Sequence, residues 1–238
     1  NMEVMPLKAM YPQGGEKVLI YHVTGEKVPE GKLPLDVGAV VLNCTTISSI
    51  ARYCRTGLPL VKKCVTVDGS AVKNPMNVLV PIGTRMKDVF EATGGFKEEP
   101  KMVLYGGPMV GIAVPDLEQP ILKNTNAILA FGEAEATPPE PTACIKCGKC
   151  IAHCPLSLMP CEMETAYKKG NIERLMNLKV NLCMECGCCS FICPAHRPLV
   201  QTNKLAKAQV MAYKNALKAK AEAEKQKLEA EKQKEAAK

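Results

Sequence analysis

Cys144–Pro155 reads CIKCGKCIAHCP, and Cys183–Pro194 reads CMECGCCSFICP. Each run spaces four cysteines as C-x2-C-x2-C-x3-C and follows the last with proline, the spacing of bacterial two-cluster ferredoxins. Chain reach explains it. Three thiolates two residues apart can wrap three corners of one iron–sulfur cube, and the fourth starts a helix leading away to the other cube. The runs therefore predict two [4Fe–4S] clusters with crossed wiring. Cys144, Cys147, Cys150 and Cys193 hold one; Cys183, Cys186, Cys189 and Cys154 hold the other. Gly148 and Gly187 lie inside the loops, where a small residue lets backbone N–H groups approach the sulfides. Zinc is the competing chemistry, but zinc ribbons pair two C-x2-C units rather than four cysteines with a trailing proline.

The other cysteines are read as ordinary thiols. Cys188 sits inside the second run, where the spacing selects Cys186 and Cys189 instead. Cys161 reads as a packed thiol, and Cys44, Cys54 and Cys64, in apolar surroundings, as small core residues. His153 and His196 lie near ligands, but four cysteines are already available per cluster. Thirteen cysteines in a 238-residue chain form an odd count, and the chain start shows no signal-peptide pattern. Both facts favour metal in a reducing compartment over a disulfide scaffold. No apolar run reaches the length of a spanning helix.

The cysteine region, 142–200, is one of several. Residues 1–63 hold a strand-like Lys17–Tyr21, a near-continuous apolar run Asp36–Leu42 (DVGAVVL) and a helical Thr46–Arg55 (TISSIARYCR). Strand, loop and helix predict a partial Rossmann-like α/β domain. Residues 64–113 read as strand Cys64–Val67, an Asp68-Gly69 turn, strand Asn77–Val80, a helix Arg85–Thr93 capped by Thr84 and stopped at Gly94-Gly95, and strand Lys101–Leu104 ended by Gly106-Gly107-Pro108. That order predicts a small β-grasp module. Residues 114–141 form a connector with one strand, Ala127–Phe131, and end in the linker EAEATPPEPT. The fold class expected is thus α+β and multi-domain, with the two-cluster ferredoxin domain followed by a helical Lys/Ala-rich tail.

The tail, 201–238, explains the charge. Net charge is +7, and from Lys204 onward there are ten Lys against five Glu. Ala, Lys, Glu and Gln are strong helix formers, with Glu222, Glu224 and Glu231 able to meet Lys partners three or four residues on. A single aromatic residue, Tyr213, lies among the lysines, so no nucleic-acid partner is expected. There is no Trp and only four Phe, so the core must be mainly aliphatic and methionine-filled.

With these residues in view, the chain resembles the C-terminal part of C subunits of the Rnf family, membrane-bound ferredoxin:NAD oxidoreductases. The resemblance rests on Tyr11–Lys17 (YPQGGEK), Leu33–Gly38 (LPLDVG), Val65–Val80 (VTVDGSAVKNPMNVLV), Gly106-Gly107-Pro108-Met109, both cysteine runs and the PLVQ stretch from Pro198. It implies a flavin-binding domain similar to that of respiratory complex I, a soluble-ligand-binding (SLBB-like) β-grasp module and the two-cluster domain. It implies FMN, NAD(H) as substrate, and electron transfer to clusters coupled to ion translocation by partner subunits, with ferredoxin engaged through a partner. It implies a peripheral place on the cytoplasmic face of a bacterial membrane.

By the same resemblance, Gly14, Gly15 and Glu16 lie near flavin and nucleotide, and Asn43 and Thr46 near the FMN phosphate. Read alone, Gly14-Gly15 is a turn and Asn43 a strand-end cap. The family's Gly-rich FMN loop is not in this sequence, so the implied flavin site is incomplete. A cobalamin reductase of similar layout and a cluster-stapled, non-redox scaffold are the alternatives.

Overall fold

In a computed structural model, residues 2–236 are described, with side chains through residue 226. The chain forms two compact units, Asn1–Glu140 and Pro141–Lys238, with the division inside the Pro/Glu/Thr linker.

The first unit opens with helix α1, Glu16–Thr24, where the sequence predicts a strand at Lys17–Tyr21. Five apolar-rich residues fit either state. The helix wins because it extends the run on both sides and closes on Gly25, whose N–H bonds Tyr21 O. The apolar run from Asp36 is a second correction. Pro34–Val37 is a 3-10 turn, tightened by the Asp36 carboxylate accepting the Leu33 N–H at 2.7 Å. Beyond it the backbone pairs with no strand among the described residues. Helix α2, Cys44–Thr56, covers the predicted helix. Before residue 62 only Ile20 is buried among the described residues, and Leu35, Val40, Ile47 and Tyr53 are exposed. The α/β strands expected at 1–63 are therefore not formed.

The sheet lies further on. Strands β1 (Lys62–Asp68) and β2 (Met76–Pro81) pair antiparallel, with Val65 opposite Val78. Helix α3, Met86–Ala92, follows, then β3 (Met102–Tyr105), β4 (Ile112–Ala113) and β5 (Ala127–Phe131). The order is β2-β1-β5-β3-β4, with β5 parallel to β1 and antiparallel to β3. The segment read as a connector thus supplies a central strand. It does so because Ile128, Leu129 and Ala130 are all buried, as a strand covered on both faces requires. Val65, Val67, Val72, Phe90, Ile121 and Ile128 form the core under α3. Thr84 does not cap α3. Met86 N–H and Lys87 N–H instead bond the carbonyls of Gln119 and Leu117, both at 3.0 Å. A short helix α4, Glu133–Ala136, precedes the linker.

The second unit is helical: α5 (Lys149–Ala152), α6 (Pro160–Lys168), α7 (Ile172–Asn177), α8 (Cys188–Phe191) and α9 (Leu199–Ala236). Asn171 caps α7, its Oδ1 accepting the Arg174 N–H at 2.8 Å. Leu158, Met163, Leu175, Val180, Ala206 and Val210 make the core, in which the start of α9 packs on α6. Side chains of α9 beyond Val210 are exposed through residue 226; the ion pair expected at Glu231 lies outside the described side chains. No described helix is long and apolar enough to cross a membrane.

Candidate iron–sulfur and flavin sites

The two cysteine runs fold alike. At a constant offset, Lys146 matches Glu185, Gly148 matches Gly187 and Ser157 matches His196, and all six have positive φ between 49° and 84°. Glycine reaches that region freely; the four others are held there against a steric cost of about 1–3 kcal/mol each. Each glycine opens a one-turn helix, α5 or α8, carrying the third cysteine of its run.

These loops face two cavities. One, of about 340 Å³, is lined by Cys144, Cys147, Cys150 and Cys193, together with Cys161 and Arg197. The other is lined by Cys183, Cys186, Cys189 and Cys154, together with Cys188. It is much tighter, about 20 Å³. The first cavity therefore collects three cysteines of its own run and the last of the other, and the second collects four of its own, Cys188 included, and the last of the first run. All thirteen cysteines are free thiols. Among the described residues no three His, Cys, Asp or Glu side chains converge on one ion-sized point. Four thiols around a shared cavity are a donor set that suits the corners of a cube.

Burial and neighbouring thiols hold several of these cysteines in the protonated form. Burial, with Cys161 beside it, pushes the Cys150 thiol to about 11. Burial and the neighbouring Cys183 and Cys186 push Cys189 to about 12. Burial also raises Cys183. In neutral water such thiols stay protonated, so a positive core must displace their protons to bind.

Donors stand around the second cavity. The Leu158 N–H points at Cys154 Sγ, 3.3 Å away. Asn203 Nδ2 lies 3.8 Å from Cys183 Sγ, and Lys207 Nζ donates to Cys183 O at 3.0 Å. At the first, Arg197 donates to Thr142 O at 2.9 Å and pairs with the buried Glu164. Hydrogen bonds from Arg197 and Lys168 hold the Glu164 carboxyl below its usual range despite the opposing effect of burial.

Cys161 lines the first cavity beside Cys150, and Cys188 lines the other beside Cys186. Cys44, Cys54 and Cys64 are exposed rather than core residues, because α2 packs few neighbours and Cys64 sits on the outward face of β1. The sequence reading missed Arg197, Asn203 and Lys207. Aligning the two runs past their prolines would have flagged them, since Asn203 and Lys207 fall opposite Glu164 and Lys168.

The residues expected near flavin stand at two helix starts. Gly14 is exposed in a turn, Gly15 precedes α1 and Glu16 is its first residue. Asn43 is the N-cap of α2, its Oδ1 accepting the Thr45 N–H at 2.9 Å, and Thr46 lies exposed in the first turn. Asn43 thus caps a helix rather than a strand end. Both starts present N–H groups suited to an anion. No hydrogen bond among the described residues joins the two loops.

Comparison with known proteins agrees in outline. Residues 1–52 match the Nuo51 FMN-binding domain family, and residues 64–113 match the SLBB domain. The C subunit of the proton-translocating ferredoxin:NAD(+) oxidoreductase complex of Clostridium ljungdahlii is 42% identical over 71% of this chain and 37% of its own length. The C subunit of the Na(+)-translocating ferredoxin:NAD(+) oxidoreductase complex of Acetobacterium woodii is 40% identical over 89% of the chain and 48% of its own length. Its counterpart in the ion-translocating oxidoreductase complex of Rhodobacter capsulatus is 37% identical over 88% and 40%. The chain thus spans less than half the length of these curated relatives.

Proposed function

We propose that this chain, similar over most of its length to C subunits of ferredoxin:NAD(+) oxidoreductase complexes, is an electron-carrying part of a membrane-associated NAD-linked oxidoreductase of the Rnf type. Its second unit is read as a two-cluster ferredoxin domain. Cys144, Cys147, Cys150 and Cys193 hold one [4Fe–4S] cluster; Cys183, Cys186, Cys189 and Cys154 hold the second. The first unit is read as part of an FMN-binding domain followed by a ligand-binding β-grasp module. Gly14, Gly15, Glu16, Asn43 and Thr46 stand on the flavin side, and NAD(H) is the substrate. Bound there, FMN would supply exchange between two-electron and one-electron transfer, and the clusters held by the cysteines would supply one-electron carriage.

The protein's work is then to place and tune. The thiols anchor the clusters in a partly buried setting, the flanking N–H donors and Lys207 offset negative charge, and the Arg197–Glu164 pair ties the two runs together. The protein is held at the cytoplasmic face of the membrane by partner subunits, which carry ion translocation and ferredoxin contact. The observation that supports this reading most strongly is the crossed lining of the two cavities. The named relatives are ferredoxin:NAD or ion-translocating oxidoreductase subunits, so cobalamin reduction is not favoured.

Anaerobically prepared protein should bleach reversibly with dithionite and give EPR signals of two reduced clusters. Iron–sulfur colour that no reductant bleaches would reduce the clusters to structural staples and overturn the electron-carrier role.

A further inference from the structure

Helices α6 and α9 start at equivalent points after their cysteine runs, at Pro160 and Leu199, so their residues can be compared pair by pair. Lys168 matches Lys207. One turn earlier the chemistry differs: Glu164 stands opposite Asn203, and both are buried, 2% and 1% exposed. The Glu164 carboxylate accepts only, and it is taken up by Arg197 and Lys168. Asn203 instead aims its amide nitrogen at Cys183 Sγ, 3.8 Å away, while its Oδ1 has no hydrogen-bond partner among the described residues. A buried amide left half-satisfied is a poor choice for stability, since an apolar side chain of the same shape would avoid the penalty. The loop it meets is held in place: Lys207 Nζ bonds the Cys183 carbonyl and pairs with Glu185.

We propose that Asn203 is a potential-setting donor to the Cys183 thiolate of the second cluster, and that the Glu164/Asn203 difference makes the two clusters electronically unequal. This rests on the cluster reading above. Reduction adds one electron, and therefore negative charge, to the cluster and its sulfurs. An N–H aimed at a ligating sulfur stabilises the reduced form more than the oxidised form and raises the potential. At the first cluster the equivalent side chain is an acceptor and offers no N–H, and the guanidinium it holds, Arg197, lines that cavity with Cys144 and Cys193, so the two sites differ in the kind and placement of their donors.

The test is an EPR-monitored redox titration of the full chain under anaerobic conditions, with iron and sulfide measured first. Asn203→Leu keeps the branched outline of the side chain and removes the donor. Its expected result is undiminished iron with one midpoint shifted, making that cluster about tenfold harder to reduce, about 59 mV for a one-electron couple. The other midpoint stays. Asn203→Asp, titrated at pH 8, should lower the same midpoint at least as far. Unchanged midpoints with full iron, or equal movement of both, overturn the proposal. Should the Leu variant lose iron, the Asp variant decides by the same criterion. Wild-type protein without iron–sulfur clusters would overturn the underlying cluster reading, and the iron count reveals this before any titration.

Discussion

Arg197 grips Glu164 through two parallel contacts, Nε to Oε2 and Nη2 to Oε1, both 2.7 Å. The same guanidinium donates to Thr142 O, just before the first cysteine run, while Arg197 itself lies just after the second. Thr142 N–H in turn bonds Ala195 O at 3.0 Å. The pair therefore clasps the entrance of one run to the exit of the other.

Glu164→Ala should weaken this clasp. The glutamate side chain is 3% exposed and Arg197 15%, so the variant leaves a mostly buried cation without its partner. Removing one member of a buried pair is strongly destabilising, and the residual exposure of Arg197 places the loss near the low end, about 3 kcal/mol. A lower urea midpoint by circular dichroism under argon is the expected readout; an unchanged midpoint would show that the pair contributes nothing net.

Acid should remove the same contribution. The folded Glu164 carboxyl titrates below its unfolded value, about 4.3. Its stabilisation is then fully present above the unfolded value and is lost as pH falls through the folded one. The gap in urea midpoint between wild type and Glu164→Gln should be widest near neutrality and shrink below about pH 4. A gap that widens on acidification would contradict the ion pair's role.

How much could be read in advance depends on the range of the contact. The alternation at Val65 and Val67 declares β1, and the cysteine spacing declares the two loops, because both patterns are local. Lys17–Tyr21 misled because a five-residue apolar run has no period of its own. Asp36–Leu42 begins in a 3-10 turn and forms no strand, because a strand needs a partner that no nearby segment supplies. Thr84 looked like a cap, yet the carbonyls of Leu117 and Gln119 do that work from across the fold. Asn203 was invisible for the same reason, since its partner Cys183 is near only in space.

Ligand and non-ligand cysteines should separate cleanly. Cys147→Ser should lower iron from about eight toward about four per chain and loosen residues 142–200, since cluster binding and folding are coupled. Cys161→Ser and Cys188→Ser should keep both clusters. Full iron in Cys147→Ser, or loss of a cluster in either of the others, would require a different ligand set.

The tail can be shortened. Val210 is the last buried residue of α9 among the described side chains, and its neighbours Ala206 and Asn203 belong to the core that faces α6 and the cysteines. Removing 215–238 should leave iron content and the visible spectrum unchanged, whereas ending the chain before Ala206 should abolish cluster retention. Loss of iron in the longer truncate would mean that the lysine-rich stretch stabilises the core.

Metal and acid-labile sulfide analysis of anaerobically purified protein probes the two thiol-lined cavities most directly. Two cubane clusters predict about eight iron and about eight sulfide per chain, with a broad brown absorbance lost on reduction. Colourless protein, or protein containing zinc in place of iron and sulfide, would contradict it.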